Sequence, residues 1–211
     1  MKKIFAMAAI AAAALFAGNV ANAQLGINVG YAPQTYNTEL TVGSVSIKDT
    51  LKMNGFFAGV NYNTKITGDL NVSVGLQVRY NTKKDESTIA TVTTTKTNTQ
   101  MLVDVPILFN YGLSLTDDLK ISLFLGPTVS YALSGNSKEE NSVLGTLIDY
   151  DWYGDDGDKK ALDVSGTVGV NLTFSDYRLY AGYNMGLLNL NQNDNTTTKG
   201  SNIFVGLGLN L

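Results

Sequence analysis

Leu162-Asp163-Val164-Ser165-Gly166-Thr167-Val168-Gly169-Val170-Asn171-Leu172-Thr173-Phe174 is the stretch on which the fold turns. Leu162, Val164, Val168, Val170, Leu172 and Phe174 occupy every second position, with Gly166 in phase. Asp163, Ser165, Thr167, Gly169, Asn171 and Thr173 lie between them. A period of two places the sets on opposite faces of one strand. Ile203–Leu211 repeats the pattern, as do Leu70–Tyr80, Met101–Leu113, Leu119–Leu133 and Tyr177–Leu187. It is weaker at Leu25–Tyr31 and Phe56–Tyr62. These segments make eight strands, and no helical period stands out beyond residue 23.

Eight alternating strands suit a soluble barrel with its apolar face inward, or a membrane barrel with that face turned to lipid. The second face discriminates. A water-facing strand surface carries Lys and Glu; here Asn, Ser, Thr and Gly dominate, as suits a narrow interior that still needs hydrogen bonds. Tyr31, Tyr80 and Tyr131 sit at one end of the apolar face. Tyr62, Tyr111, Phe174 and Tyr177 sit at the other, like two aromatic girdles. The connections alternate as well. Thr64–Asp69, Ser114–Asp118 and Ser175–Asp176 are short; Ala32–Asn54, Asn81–Thr97, Ser134–Lys160 and Asn191–Gly200 are long. Short periplasmic turns and long outer loops have that asymmetry. The expected fold class is all-β: a closed antiparallel eight-stranded transmembrane β-barrel, which leaves no sheet edge in lipid.

The chain has 211 residues, 44% hydrophobic and 16% charged, with a net charge of -3. No basic excess points to nucleic acid. Cys and His are both absent. Disulfides, thiolate or imidazole metal sites, Ser-His catalysis and histidine pH switching are therefore excluded. Met1-Lys2-Lys3, the apolar run Ile4–Ala17 and Ala21-Asn22-Ala23 read as a secretory signal peptide over residues 1–23. The expected mature chain is one barrel domain, residues 24–211.

Leu102-Val103-Asp104-Val105-Pro106-Ile107-Leu108, followed by Tyr111-Gly112, resembles a strand of the PorT-type, or porin-family, outer-membrane β-barrel proteins. Gly126-Pro127 and Ser130-Tyr131-Ala132-Leu133 resemble that family's next strand, and Gly55-Phe56-Phe57-Ala58-Gly59 its second. Phe109-Asn110 replace the family's lysine, and Leu211 stands where many barrels end in Phe. The resemblance implies location and fold, and no particular activity.

The inward face carries Asn28, Asn61, Gln77, Arg79, Asp104, Asn110, Lys120, Asp163, Asn171, Arg178 and Asn184. They form either a narrow conduction path or a hydrogen-bonded plug, and eight strands leave little room for water. Arg79 and Asp104 are expected to form an ion pair, because each needs a partner inside a barrel. Val143–Ile148 and the residues after it make an apolar, aromatic-rich loop. Leu147, Ile148, Tyr150, Trp152 and Tyr153 either form a partner contact or extend strands five and six and pack against other loops. Asp149–Asp158 is acidic, but Tyr153 and Lys160 occupy ligand positions of a calcium loop, so an EF-hand is excluded. No catalytic residue, metal or cofactor is expected. The expected partners are outer-membrane lipid, the barrel assembly machinery and an extracellular or envelope protein. The function class is a structural or surface-interaction module; the alternative is a small-solute pore or an accessory to protein secretion.

Overall fold

The computed structural model describes residues 23–43, 45–116, 118–154, 157–193 and 195–211. The expected signal peptide lies outside the described residues except for Ala23, which opens β1. Ten strands are described: β1 (Ala23–Tyr31), β2 (Gln34–Val42), β3 (Val45–Thr67), β4 (Leu70–Ile89), β5 (Val92–Ser114), β6 (Leu119–Asn141), β7 (Gly145–Asp151), β8 (Leu162–Phe174), β9 (Tyr177–Gly186) and β10 (Thr196–Asn210).

The ten strands make eight staves. β1 and β2 both pair with β10 on one side and β3 on the other. The register passes through Ala32-Pro33 without a shift: Tyr31 faces Phe56 and Gln34 faces Met53. Pro33 has no N–H for the ladder, which interrupts the strand there. β7 pairs only with β6, above the level at which β6 leaves β8. The ring runs from β1/β2 through β3, β4, β5, β6, β8 and β9 to β10, all antiparallel, and closes where β10 meets β1/β2.

The apolar face points out. Leu123, Leu125, Val168 and Leu207 are each more than half exposed, while Asn28, Asn61, Arg79 and Asp104 inside are buried. A soluble barrel has the opposite arrangement, so the exposed band is a lipid-facing surface. Among the described residues, no helix is long and apolar enough to cross a membrane; the strands cross it. Outer-girdle Tyr31 packs on Phe56 with ring centroids 5.3 Å apart.

The long connections differ from the loops expected of them. Most of Ala32–Asn54 is the β2–β3 hairpin, and Asn81–Thr97 is the β4–β5 hairpin, turning at Ala90 with φ 54°. Ser134–Lys160 holds the end of β6 and all of β7. Toward the hairpin tips both faces of these strands meet water, so the apolar alternation weakens, broken at Asp49 in β3 and lost in Asn81–Thr97, while the ladder continues. Threonines support that ladder: Thr88 and Thr93 pair across the hairpin with hydroxyls 3.0 Å apart.

Candidate functional site

The lumen is layered. Nearest the periplasm, Asn171 Nδ2 donates to Asn110 Oδ1 (3.2 Å), with Lys120 and Arg178 on the same polar vestibule. Above it lies an amide network: Asn28 Nδ2 donates to Asn61 Oδ1 (3.1 Å), Gln77 Nε2 to Asn28 Oδ1 (3.3 Å) and Arg178 Nη2 to Asn61 Oδ1 (2.7 Å).

An aromatic layer follows that sequence reasoning missed. Phe57, Phe124, Tyr180 and Phe204 are buried together with Ala32 inside the barrel, and Leu108 packs on them. Ring centroids lie 6.3 Å apart for Phe57–Tyr180 and 6.2 Å for Tyr180–Phe204 and Phe124–Phe204. Each ring covers a glycine directly across the ladder: Phe57 over Gly30, Phe124 over Gly169, Phe204 over Gly182 and Tyr180 over Gly206. A Cβ at any of the four would collide with the ring. The glycines thus provide the space in which large rings fit inside a small barrel. The available signal was four aromatics lying in phase with the polar face. Only the register shows that a glycine stands opposite each.

Arg79 and Asp104 lie toward the extracellular side. Arg79 Nε donates to Asp104 Oδ2 (2.9 Å) and Nη2 to Oδ1 (3.1 Å), a bidentate pair, and Nη1 donates to Gln34. In the ladder Asp104 faces Gln77 and Arg79 faces Leu102, so the guanidinium reaches two positions along the strand. Both side chains are under a tenth exposed. Beside them Thr167 joins Thr128 (2.7 Å) to Asn184 (2.6 Å). Asp163 also faces in, with Oδ1 buried and without a hydrogen-bond partner. A cavity of about 70 Å³ runs from Arg79, Asp104, Thr128 and Thr167 past the aromatic rings to Asn110, Asn171 and Arg178.

The extracellular mouth is closed by a second cluster of Tyr36, Met53, Trp152 and Leu190, with Leu51, Tyr150 and Tyr153 against it. Asn81 Nδ2 donates to Gln100 Oε1 (2.9 Å), Tyr36 Oη to the same oxygen (2.8 Å), and Gln100 Nε2 to Tyr153 Oη. Burial raises the Tyr36 phenol to about 12, and the Tyr153 phenol is also raised by burial. The Lys159 ammonium sits 3.5 Å from the Trp152 ring centroid and 5.1 Å from that of Tyr36. Burial lowers Lys159 to about 8, and the two ring faces favour its charged form.

The structure divides the residues proposed for partner contact. Leu147 and Ile148 are exposed on β7, Tyr150 is half-buried, and Trp152 is only 3% exposed. Trp152 and Tyr153 turn inward over Gly135 and cap the lumen, the packed arrangement of the two readings open for them. The reason is geometric: the chain folds back over the barrel mouth after β7, with Trp152 N–H bonded to Gly135 O (2.8 Å). The acidic segment is used locally, since Asn136 Nδ2 donates to Asp149 (2.7 Å) and Asp151 (3.2 Å). Among the described residues no group of acidic side chains is placed to hold a metal.

A closed antiparallel barrel with a polar and aromatic interior and an apolar exterior defines a transmembrane protein of the bacterial outer membrane. The family model described as "Outer membrane protein beta-barrel domain" matches residues 16–192, and the chain belongs to that family. No curated protein matches the sequence. Among solved structures, the chain is similar to Ail, the attachment invasion locus protein of Yersinia pestis, in complex with sucrose octasulfate. Identity is 14%, the match covers 90% of this chain and 99% of that one, and the TM-score is 0.48. Neisserial surface protein A matches at 13% identity over 89% and 98% of the two chains, with a TM-score of 0.37. The outer-membrane enzyme PagL matches at 11% identity over 82% and 97%, with a TM-score of 0.36.

Proposed function

We propose that this protein is a surface-interaction module whose barrel serves as a closed anchor. One observation carries the reading: the sheet continues well above the bilayer and ends in exposed aliphatic residues. Val42, Val45 and Ile47 lie at the β2–β3 tip, Ile89 at the β4–β5 tip, and Val143, Leu144, Leu147 and Ile148 at the β6–β7 tip. Strands rigidly joined to the barrel hold these groups at fixed separations, which lowers the ordering cost of binding a partner. A protein partner in the envelope or outside the cell suits aliphatic contacts on a polar rim. A non-enzymatic role fits a chain without His or Cys. Placement in the PorT-type group is supported by Leu102–Leu108 and Gly126-Pro127.

The alternative, a small-solute pore, is disfavoured by the aromatic layer and the Trp152 cap. Planar-bilayer recordings and photo-crosslinking on intact cells test the reading together. The expected result is no steady conductance, with a partner captured from a crosslinker at Ile148 and lost in Leu144→Ser/Leu147→Ser. Steady openings, or capture indifferent to those substitutions, overturn it.

A further inference from the structure

The lumen holds two arginines in unlike surroundings. Arg79 has a bidentate carboxylate. Arg178 bonds only an amide oxygen, Asn61 Oδ1, and its Nε is buried with no acceptor. The Tyr180 ring lies against its guanidinium, 5.1 Å from centroid to Cζ, and Gly208 stands opposite it in the ladder. Arg178 faces a vestibule of about 310 Å³ at the periplasmic end, whose other cations are Lys65 and Lys120. No Asp or Glu is among the described residues that line it. Among the described residues none of the three cations forms an ion pair.

A partly buried guanidinium without a counter-charge is costly, and a charge-assisted bond from an anion removes much of that cost. Above Arg178 the rings of Phe57, Phe124, Tyr180 and Phe204 narrow the lumen to a cavity of about 70 Å³. An anion entering from the periplasm therefore meets three cations and then a constriction. Asp69, Asp118 and Asp176, in the turns below, oppose long-range attraction, so retention depends on direct contact with the cations.

We propose that the periplasmic vestibule is a binding site for a small oxyanion, a phosphate or carboxylate group. Arg178 and Lys120 hold it, and Lys65 lies at the rim. Arg178 supplies a planar guanidinium whose one hydrogen bond is to Asn61, and Lys120, at the same level one strand beyond β8, supplies a point charge.

Calorimetric titration of the full barrel, refolded in zwitterionic micelles at constant ionic strength, tests the site with inorganic phosphate, succinate and chloride as separate probes. Saturable one-site binding of phosphate or succinate is expected, at least tenfold tighter than chloride. Phosphate alone assigns the group to a phosphate source, succinate alone to a carboxylate source, and both to the shared oxyanion chemistry. Arg178→Gln and Lys120→Gln should each weaken binding about tenfold or more, while Lys138→Gln on the extracellular hairpin leaves it unchanged. Lys120 is half-exposed on the vestibule wall, so its variant serves if Arg178→Gln does not fold. No binding above chloride, or unchanged affinity in a folded Lys120→Gln variant, overturns the proposal.

Discussion

Replacing Arg79 with Gln and Asp104 with Asn, singly and together, tests whether the interior is held by a specific ion pair or only by generic polarity. The two side chains are 8% and 7% exposed and joined by bonds of 2.9 and 3.1 Å. Losing one member of such a pair costs about 3–5 kcal/mol, because the survivor stays buried without its partner. The two losses are unequal. After Asp104→Asn, Arg79 keeps Gln34 as an acceptor and Asp163 as a nearby negative charge. After Arg79→Gln, both carboxylates lose their cation, so this variant should be the more damaged. The double variant leaves two neutral amides, with Asp163 alone lacking its cation, and should cost less than Arg79→Gln. Coupling then exceeds the cost of Asp104→Asn. Water in the adjoining cavity of about 70 Å³ moves the single costs toward the lower end. Reversible urea unfolding in lipid vesicles gives the energies, with Trp152, the only tryptophan, as the probe. Additive effects, with coupling near zero, would refute the reasoning.

Three further outcomes follow from the same geometry. Phe57→Ala with Phe204→Ala removes half of the lumen's aromatic layer. Each truncation should cost about 3–5 kcal/mol, and the pair should produce measurable ion conductance where the parent is silent; a silent double variant would show that the rings are not the barrier. Single cysteines at Leu144 and Asn195 should label with an impermeant maleimide on whole cells, and one at Leu115 only after lysis; the reverse pattern would invert the topology. Lys159 is lowered to about 8 from 10.5. Between those values the undocked loop binds a proton that the docked loop has shed, so docking strengthens as pH rises through that window and is weakest below about pH 8. Protease protection near Trp152 should therefore increase from pH 8 to 10 and lose this dependence in Lys159→Met; protection that falls over that range would mean that the ring faces dominate.

The barrel was legible in the sequence because lipid imposes a strict condition: each crossing strand of about 9–11 residues needs one apolar face. Leu162–Phe174 and Ile203–Leu211 carry that alternation without interruption. The same condition separated outward Leu123 and Val168 from inward Asn171 and Arg79. Above the bilayer the condition lapses: Asn81–Thr97 holds strands without the alternating signature, and in Val45–Asn54 Asp49 interrupts the alternation of Val45, Ile47, Leu51 and Met53. Pairing across the ladder is a relation between distant residues, and no local period encodes it. Trp152 illustrates this: its sequence neighbours Leu147 and Ile148 are exposed, yet Tyr36, Met53 and Leu190 bury it. So do the glycines opposite Phe57, Phe124, Tyr180 and Phe204, whose spacing along the chain is unremarkable until the strands are set in register. The sign of each lumen charge was readable residue by residue. That Arg79 meets a carboxylate and Arg178 meets none depends on stagger, because a two-residue offset decides which side chains reach one another across a closed barrel.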